Sequence, residues 1–248
     1  MISEEGRLQT QVRDLAEYID EAMRPVRVAP GFVSRPANVA RPAELPPWFI
    51  DRCRQAYLSV PFDEPCRVLG VTSALPGDGK TSIAVGIATA IASDTQESTL
   101  LMECDLERPS FHHYFGFPPA GGLTEWLDGA ASLRVVRVPY LQNQIVLPSG
   151  APHPDPARLL YQLSESNVIS MLKPSFRNIV LDLPPMLDIA YSSLASKLAD
   201  RLLIVARYGV TPLEDLEKVL FLLGRDRVKG IVLNGTRYRT PEWLRRLL

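Results

Sequence analysis

Apolar positions recur along this 248-residue chain at two different spacings. Over residues 1–23, Leu8, Val12, Leu15, Ile19 and Met23 fall at steps of three and four with charges between them. That period predicts an amphipathic helix, which would dock on its own domain or on another protein. The pattern then collapses into a stretch holding Pro25, Pro30, Pro36, Pro42, Pro46 and Pro47, which resists helix and central strand and predicts an extended linker over residues 25–47. Beyond it, short apolar runs alternate with helical patterns. Helices are expected over 48–60, 81–92, 156–172, 194–198 and 213–223, with a Gly-Gly turn into a short helix at 121–127. Strands are expected at 68–72, 99–103, 145–147, 179–181, 201–206 and 230–233. Short strands alternating with helices predict an α/β domain over residues 48–239, a mostly parallel sheet with helices on both faces. Thr240, Pro241 and the mixed apolar and basic residues after them predict a short C-terminal amphipathic helix over 240–248.

Residues 68–84 carry the most specific local signal. A β-branched run breaks into Pro76, Gly77, Asp78, Gly79, Lys80, Thr81 and Ser82 and continues as a helical pattern. This is the strand, loop and helix order of a phosphate-binding P-loop. Gly77 and Gly79 let the backbone turn its N–H groups inward as an anion nest, the helix adds its positive end, and Lys80 supplies a point charge. Thr81 would hold Mg²⁺ through its hydroxyl. Ala74 stands where the full G-x-x-x-x-G-K-[ST] pattern has its first Gly. In a parallel sheet the carboxyl ends of the strands line the ligand crevice. Glu103, Cys104 and Asp105 end one expected strand and Asp182 another, the second being a Walker B type of signal.

Composition narrows the class. Apolar content of 46% suffices for a sizeable core, and a formal net charge of -1 gives no general electrostatic reason to expect nucleic acid. Cys53, Cys66 and Cys104 show no metal-like or disulfide-like spacing, which suits a reducing cytosol. His112, His113 and His153 form no recognisable metal motif. Acids stand near the N-terminus where a signal peptide has bases, and no run reaches the ~20 apolar residues of a membrane helix. A soluble or peripheral protein is expected.

Taken together, these motifs resemble the bacterial tyrosine kinases (BY-kinases) of capsule and exopolysaccharide systems, of the CpsD/CapB type, over roughly residues 51–234. Residues 73–81 are close to the family's S-x-x-P-G-E-G-K-[ST], and residues 103–110 to its D-A-D-L-R-R-P-S. Phe115-Gly116, Gly121-Gly122-Leu123, Pro148-Ser149-Gly150, residues 155–160, Asp182-Leu183-Pro184-Pro185, residues 207–211 and residues 230–234 follow in family order. The resemblance implies that the loop from Pro76 to Ser82 binds the phosphates of ATP, with Lys80 catalytic. It implies that Glu103 activates the attacking hydroxyl, that Thr81, Asp105 and Asp182 hold Mg²⁺, and that Asn234 touches the adenine. It also implies a cytoplasmic protein at the inner face of the plasma membrane. Its partner would be a membrane-spanning polysaccharide chain-length regulator of the co-polymerase type, with a homo-oligomer as a further assembly. The mixed bulky apolar and basic residues 243–248 read separately as a peripheral membrane or partner-docking helix, or as a terminal helix packed on its own domain. ParA and MinD, which share the fold, have a second lysine where this chain has Leu75.

The departures from the family pattern are equally specific. Glu103 replaces an Asp, Glu107 replaces an Arg beside the phosphates, and Tyr191 stands where the family has an Asp. The activating E-x-x-R-x-x-R stretch, on which ring-shaped self-assembly rests, appears as Asp51, Arg54 and Tyr57. After Asn234 only Tyr238 is present, whereas the family ends in a tyrosine cluster. Three readings follow. The first is a kinase transferring a phosphoryl group to tyrosine, or to water. The second is a degenerate kinase acting as a nucleotide-dependent regulatory subunit without turnover, and the third a MinD-like peripheral membrane ATPase.

Overall fold

The structure, a computed structural model, describes residues 45–61, 67–117, 121–130, 135–138 and 141–236. The expected N-terminal helix, nearly all of the Pro-rich linker, Cys66, Tyr238 and the expected C-terminal helix lie outside the described residues.

The first helix, α1 (Pro47–Leu58), starts on a proline whose fixed φ suits the first helical position. Strand β1 (Arg67–Ser73) feeds the glycine-bearing loop, and α2 (Lys80–Thr95) follows. Helix α2 is apolar nearly all round, burying Ile83, Val85, Ile87 and Ile91 among others, because it is sandwiched between the sheet and α1. Gly86 permits that closeness: a Cβ there would lie 2.4 Å from the Cys53 sulfur and 2.8 Å from the Phe49 ring. Then come β2 (Thr99–Glu103), α3 (Phe111–Phe115), α4 (Leu123–Leu127), β3 (Val136–Val138) and β4 (Leu141–Leu147). The chain continues through α5 (Pro156–Glu165), α6 (Val168–Leu172), β5 (Asn178–Asp182), α7 (Ser192–Ser196), β6 (Arg201–Arg207), α8 (Leu213–Leu223) and β7 (Val228–Asn234).

The seven strands lie in the order β3-β4-β2-β5-β1-β6-β7. Only the β3–β4 pair is antiparallel, so the mostly parallel sheet read from the sequence is what the chain forms. Successive side chains of a strand point to opposite faces, and the core divides accordingly. Leu100, Met102, Ile179, Leu181 and Ile204 pack under α5 to α8. Leu69, Val71, Leu101, Val180 and Leu203 pack under α1 and α2. The helix after β1 therefore takes one face while those after β5 and β6 take the other, and the ligand crevice opens between them at the strands' carboxyl ends. Among the described residues, no helix is long and apolar enough to cross a membrane.

Local boundaries differ from expectation at several places. The apolar period over 156–172 covers two helices, because the chain breaks at Ser166, which is extended with ψ 152°. Helix α3 and strand β3 were not expected, since five and three residues are too short to show a period. The strand expected at 145–147 begins earlier, at Leu141, where polar Gln142, Asn143 and Gln144 interrupt the apolar run.

Candidate functional site

The loop after β1 is built by local rules. Gly77 and Gly79 take φ of +83° and +97°, left-handed values that glycine adopts without a Cβ clash. Gly79 also lies hard against Asn234, whose Nδ2 would stand 2.1 Å from a Cβ added there. The chain then enters α2 with Lys80 as its first residue. Pro76 and Gly77 are exposed, while Asp78 and Lys80 are buried.

Two strand-end acids converge on Lys80. Its Nζ lies 3.1 Å from Asp105 Oδ2 and 3.4 Å from Asp182 Oδ1. The Thr81 hydroxyl donates to Asp182 Oδ2 at 2.8 Å. The β2–β5 register, with Glu103 opposite Asp182, brings the two strand ends level. Hydrogen bonding continues past the strands, from Cys104 N to Asp182 O at 2.8 Å and from Leu183 N to Val71 O at 2.9 Å, so both acids sit on stiff backbone. Burial pushes the Asp182 carboxyl up to about 6, against the pull of Lys80 and Thr81. Burial works against the charge on Lys80 too, but Asp182 and Asp105 outweigh it and hold its pKa above the ordinary lysine value. The site thus sets a cation between two carboxylates beside a helix N-terminus.

The donor set fits Mg-nucleotide. Thr81, Asp105 and Asp182 offer hard oxygen atoms of the kind Mg²⁺ takes, and at Gly77 nothing lies within 4 Å of where a Cβ would stand. Among the described residues, no cluster of three or more His, Cys, Asp or Glu forms a metal site by itself.

Other expected site residues have different surroundings. Glu103 is buried and engaged by four donors. Its Oε1 accepts from the backbone N–H groups of Ser110 and Phe111, the latter at 2.8 Å. Its Oε2 accepts from Ser149 N at 3.0 Å and Ser149 Oγ at 2.9 Å. The Ser82 hydroxyl lies 2.6 Å from the Tyr114 hydroxyl. Asn234 donates Nδ2 to the Asp78 carbonyl at 2.9 Å and accepts from Gly235 N, so its amide meets the P-loop backbone.

The departures noted in the sequence find partners. The Tyr191 hydroxyl donates to Glu107 at 2.5 Å, so the two substituted positions touch each other at the rim of the site. Burial and then Glu107 push the Tyr191 hydroxyl above its ordinary range. The stripe Asp51, Arg54 and Tyr57 folds back on the chain itself. Arg54 grips Asp94 with two bonds of 2.6 and 2.8 Å and also pairs with Asp51, while the Tyr57 hydroxyl donates to Asp94 at 2.8 Å.

Tyr114 carried no sequence signal, while Thr211 and Ser149 fell inside segments matched in family order but were given no role. Thr211 and Asp78 are in contact across 133 positions of chain, a separation no local pattern reveals.

No protein-family model matches the chain. Among curated proteins it is similar to the tyrosine-protein kinase Wzc of Salmonella typhimurium, 29% identical over 171 residues covering 68% of this chain and 24% of that one. It is also similar to the succinoglycan biosynthesis transport protein ExoP of Rhizobium meliloti, 31% identical over 176 residues covering 68% and 22%. The chain thus spans less than a quarter of the length of either relative. Among solved structures, the VpsO kinase domain superposes with a TM-score of 0.66 at 27% identity, covering 77% of this chain and 97% of that one. The septum site-determining protein MinD of Pyrococcus horikoshii, complexed with Mg-ADP, shares the fold, with a TM-score of 0.58 at 22% identity over 74% and 77% of the two chains. These likenesses bear out the family resemblance and the fold class read from the motifs.

Proposed function

We propose that this chain, a divergent relative of the bacterial tyrosine kinases, binds Mg-ATP in the crevice at Lys80 and transfers its γ-phosphoryl group to tyrosine on another chain. The observation that carries the reading is the convergence of Lys80, Thr81, Asp105 and Asp182 at one helix N-terminus. When bound, Mg-ATP supplies the activated phosphoryl group and a divalent charge. The protein's share is positioning and neutralisation. The N–H groups of the loop and of the first turn of α2 would hold the phosphates, with Lys80 supplying a positive charge beside them. Asp182 orients the Thr81 hydroxyl, and Thr81, Asp105 and Asp182 would hold the metal.

The name of ExoP, a succinoglycan biosynthesis transport protein, supports a place in polysaccharide synthesis and export; the place proposed for this chain is the inner side of the membrane. The partner proposed there is a membrane-spanning chain-length regulator of the co-polymerase type.

A second reading, a nucleotide-dependent regulatory subunit without turnover, is favoured by one observation. The oxygens of Glu103 already accept four hydrogen bonds, which leaves little capacity to take a substrate proton. One experiment tests both. Mg-ATP binding is measured for the wild type and Lys80→Ala, alongside γ-phosphate transfer to a tyrosine-rich acceptor. The expected result is binding lost with Lys80→Ala and transfer by the wild type. Binding without transfer would select the second reading, and equal binding by both proteins would remove both.

A further inference from the structure

The P-loop is fastened from a direction its motif does not announce. Asp78 lies inside the loop, between the two left-handed glycines, and is only 2% exposed. An unrestrained carboxylate there would repel a phosphate in the nest, since like charges a few ångströms apart in a partly buried site interact strongly. Both of its oxygens are spoken for. Oδ2 accepts from Leu75 N at 3.1 Å, within the loop, and Oδ1 accepts from the Thr211 hydroxyl at 2.7 Å.

Thr211 is itself rigidly held. Its Oγ1 accepts from Arg207 N at 2.7 Å, so its one proton is committed to Asp78. Its own N–H donates to Arg207 O at 2.9 Å, closing a turn at the end of β6, and Tyr208 N donates to Asn234 O at 2.8 Å, tying that turn to β7. The Asn234 side chain then reaches the Asp78 carbonyl. The residue that shapes the nest therefore hangs, by its side chain and its backbone, from the ends of two strands on the far side of β1.

We propose that Thr211 is a positioning residue for the phosphate-binding loop: its hydroxyl keeps the Asp78 carboxylate turned out of the nest and so fixes the geometry in which the loop's N–H groups meet a phosphate. The inference rests on the reading of this site as a nucleotide site. Serine at 211 keeps both hydrogen bonds. Valine, nearly isosteric, keeps neither and strands Asp78 Oδ1 and Arg207 N.

The test compares the wild type with Thr211→Val and Thr211→Ser. The first readout is Mg-ATP affinity by equilibrium titration, with thermal unfolding of the nucleotide-free proteins alongside. The second is hydrogen exchange of the amides of residues 75–81 in the absence of nucleotide. Thr211→Val is expected to weaken ATP about tenfold, equivalent to about 1.4 kcal/mol, and to speed exchange in the loop. Thr211→Ser should restore both to within about twofold. A Thr211→Val protein that melts lower yet binds ATP and protects its loop like the wild type would show a purely structural threonine and overturn the inference. So would equal loss in the valine and serine variants. Should the wild type not bind ATP, the proposed function would fall, while the loop exchange would still decide the role of Thr211.

Discussion

Two acids leave the end of β2 two residues apart, and they meet opposite surroundings. Asp105 faces the crevice, where Lys80 stands 3.1 Å away and, among the described residues, one other bond, from Arg108 N, restrains it. Glu103 points to the interior of two loops and is saturated there. The first carboxylate is balanced by a cation that a ligand can take over. The second is balanced by backbone N–H groups that have nowhere else to go. The family pattern marks both positions for chemistry, but the donors around each decide whether its charge is available.

That contrast can be broken most sharply at Lys80. Lys80→Ala is expected to lower ATP affinity more than about tenfold, as befits loss of a charge-assisted contact. Its effect on folding stability should be the lesser one, because Asp182, already prone to protonation, takes up a proton instead of remaining a stranded charge. Titration calorimetry beside urea unfolding reads the two effects separately.

Glu103→Ala should show the reverse balance. It strands the N–H groups of Ser110, Phe111 and Ser149, and a loss of about 3 kcal/mol in urea unfolding is expected. Glu103→Asp, although it matches the family residue, is one methylene too short to serve both loops. About half that loss is expected from it. A variant as stable as the wild type would show that the two loops hold themselves.

A pH dependence is also expected at Asp182. An acid whose folded pKa of about 6 lies above its ordinary value of 3.8 takes up a proton on folding. Its contribution to stability is complete below the lower value and is lost as pH rises through the upper one. Asp182→Asn should therefore gain on the nucleotide-free wild type between about pH 4 and about pH 7. Parallel melting curves across that range that keep a constant separation would contradict it.

How much of this was legible beforehand follows from distance along the chain. The β1, P-loop and α2 unit is contiguous, and its glycines, lysine and apolar helix state their own geometry. The acids at 103, 105 and 182 were legible as strand ends, because a buried parallel strand reads as a short apolar run. The use of Glu103 was not, since its donors come from residues 110, 111 and 149, and backbone N–H groups carry no sequence signature. Thr211 was hidden for the same reason, being brought to Asp78 by the β1–β6–β7 pairing alone. Glu107 and Tyr191 each looked like a defect singly, and only the fold shows that they meet.

The clasp of Arg54 and Tyr57 on Asp94 bears on how such chains diverge. Where a side chain binds a second copy, drift at its position is answered on that copy's surface. Here the answering residue is Asp94, on the next helix of the same chain. In an alignment of its relatives, positions 54, 57 and 94 should therefore change together, and a lineage that loses the acid at 94 should soon lose the arginine at 54.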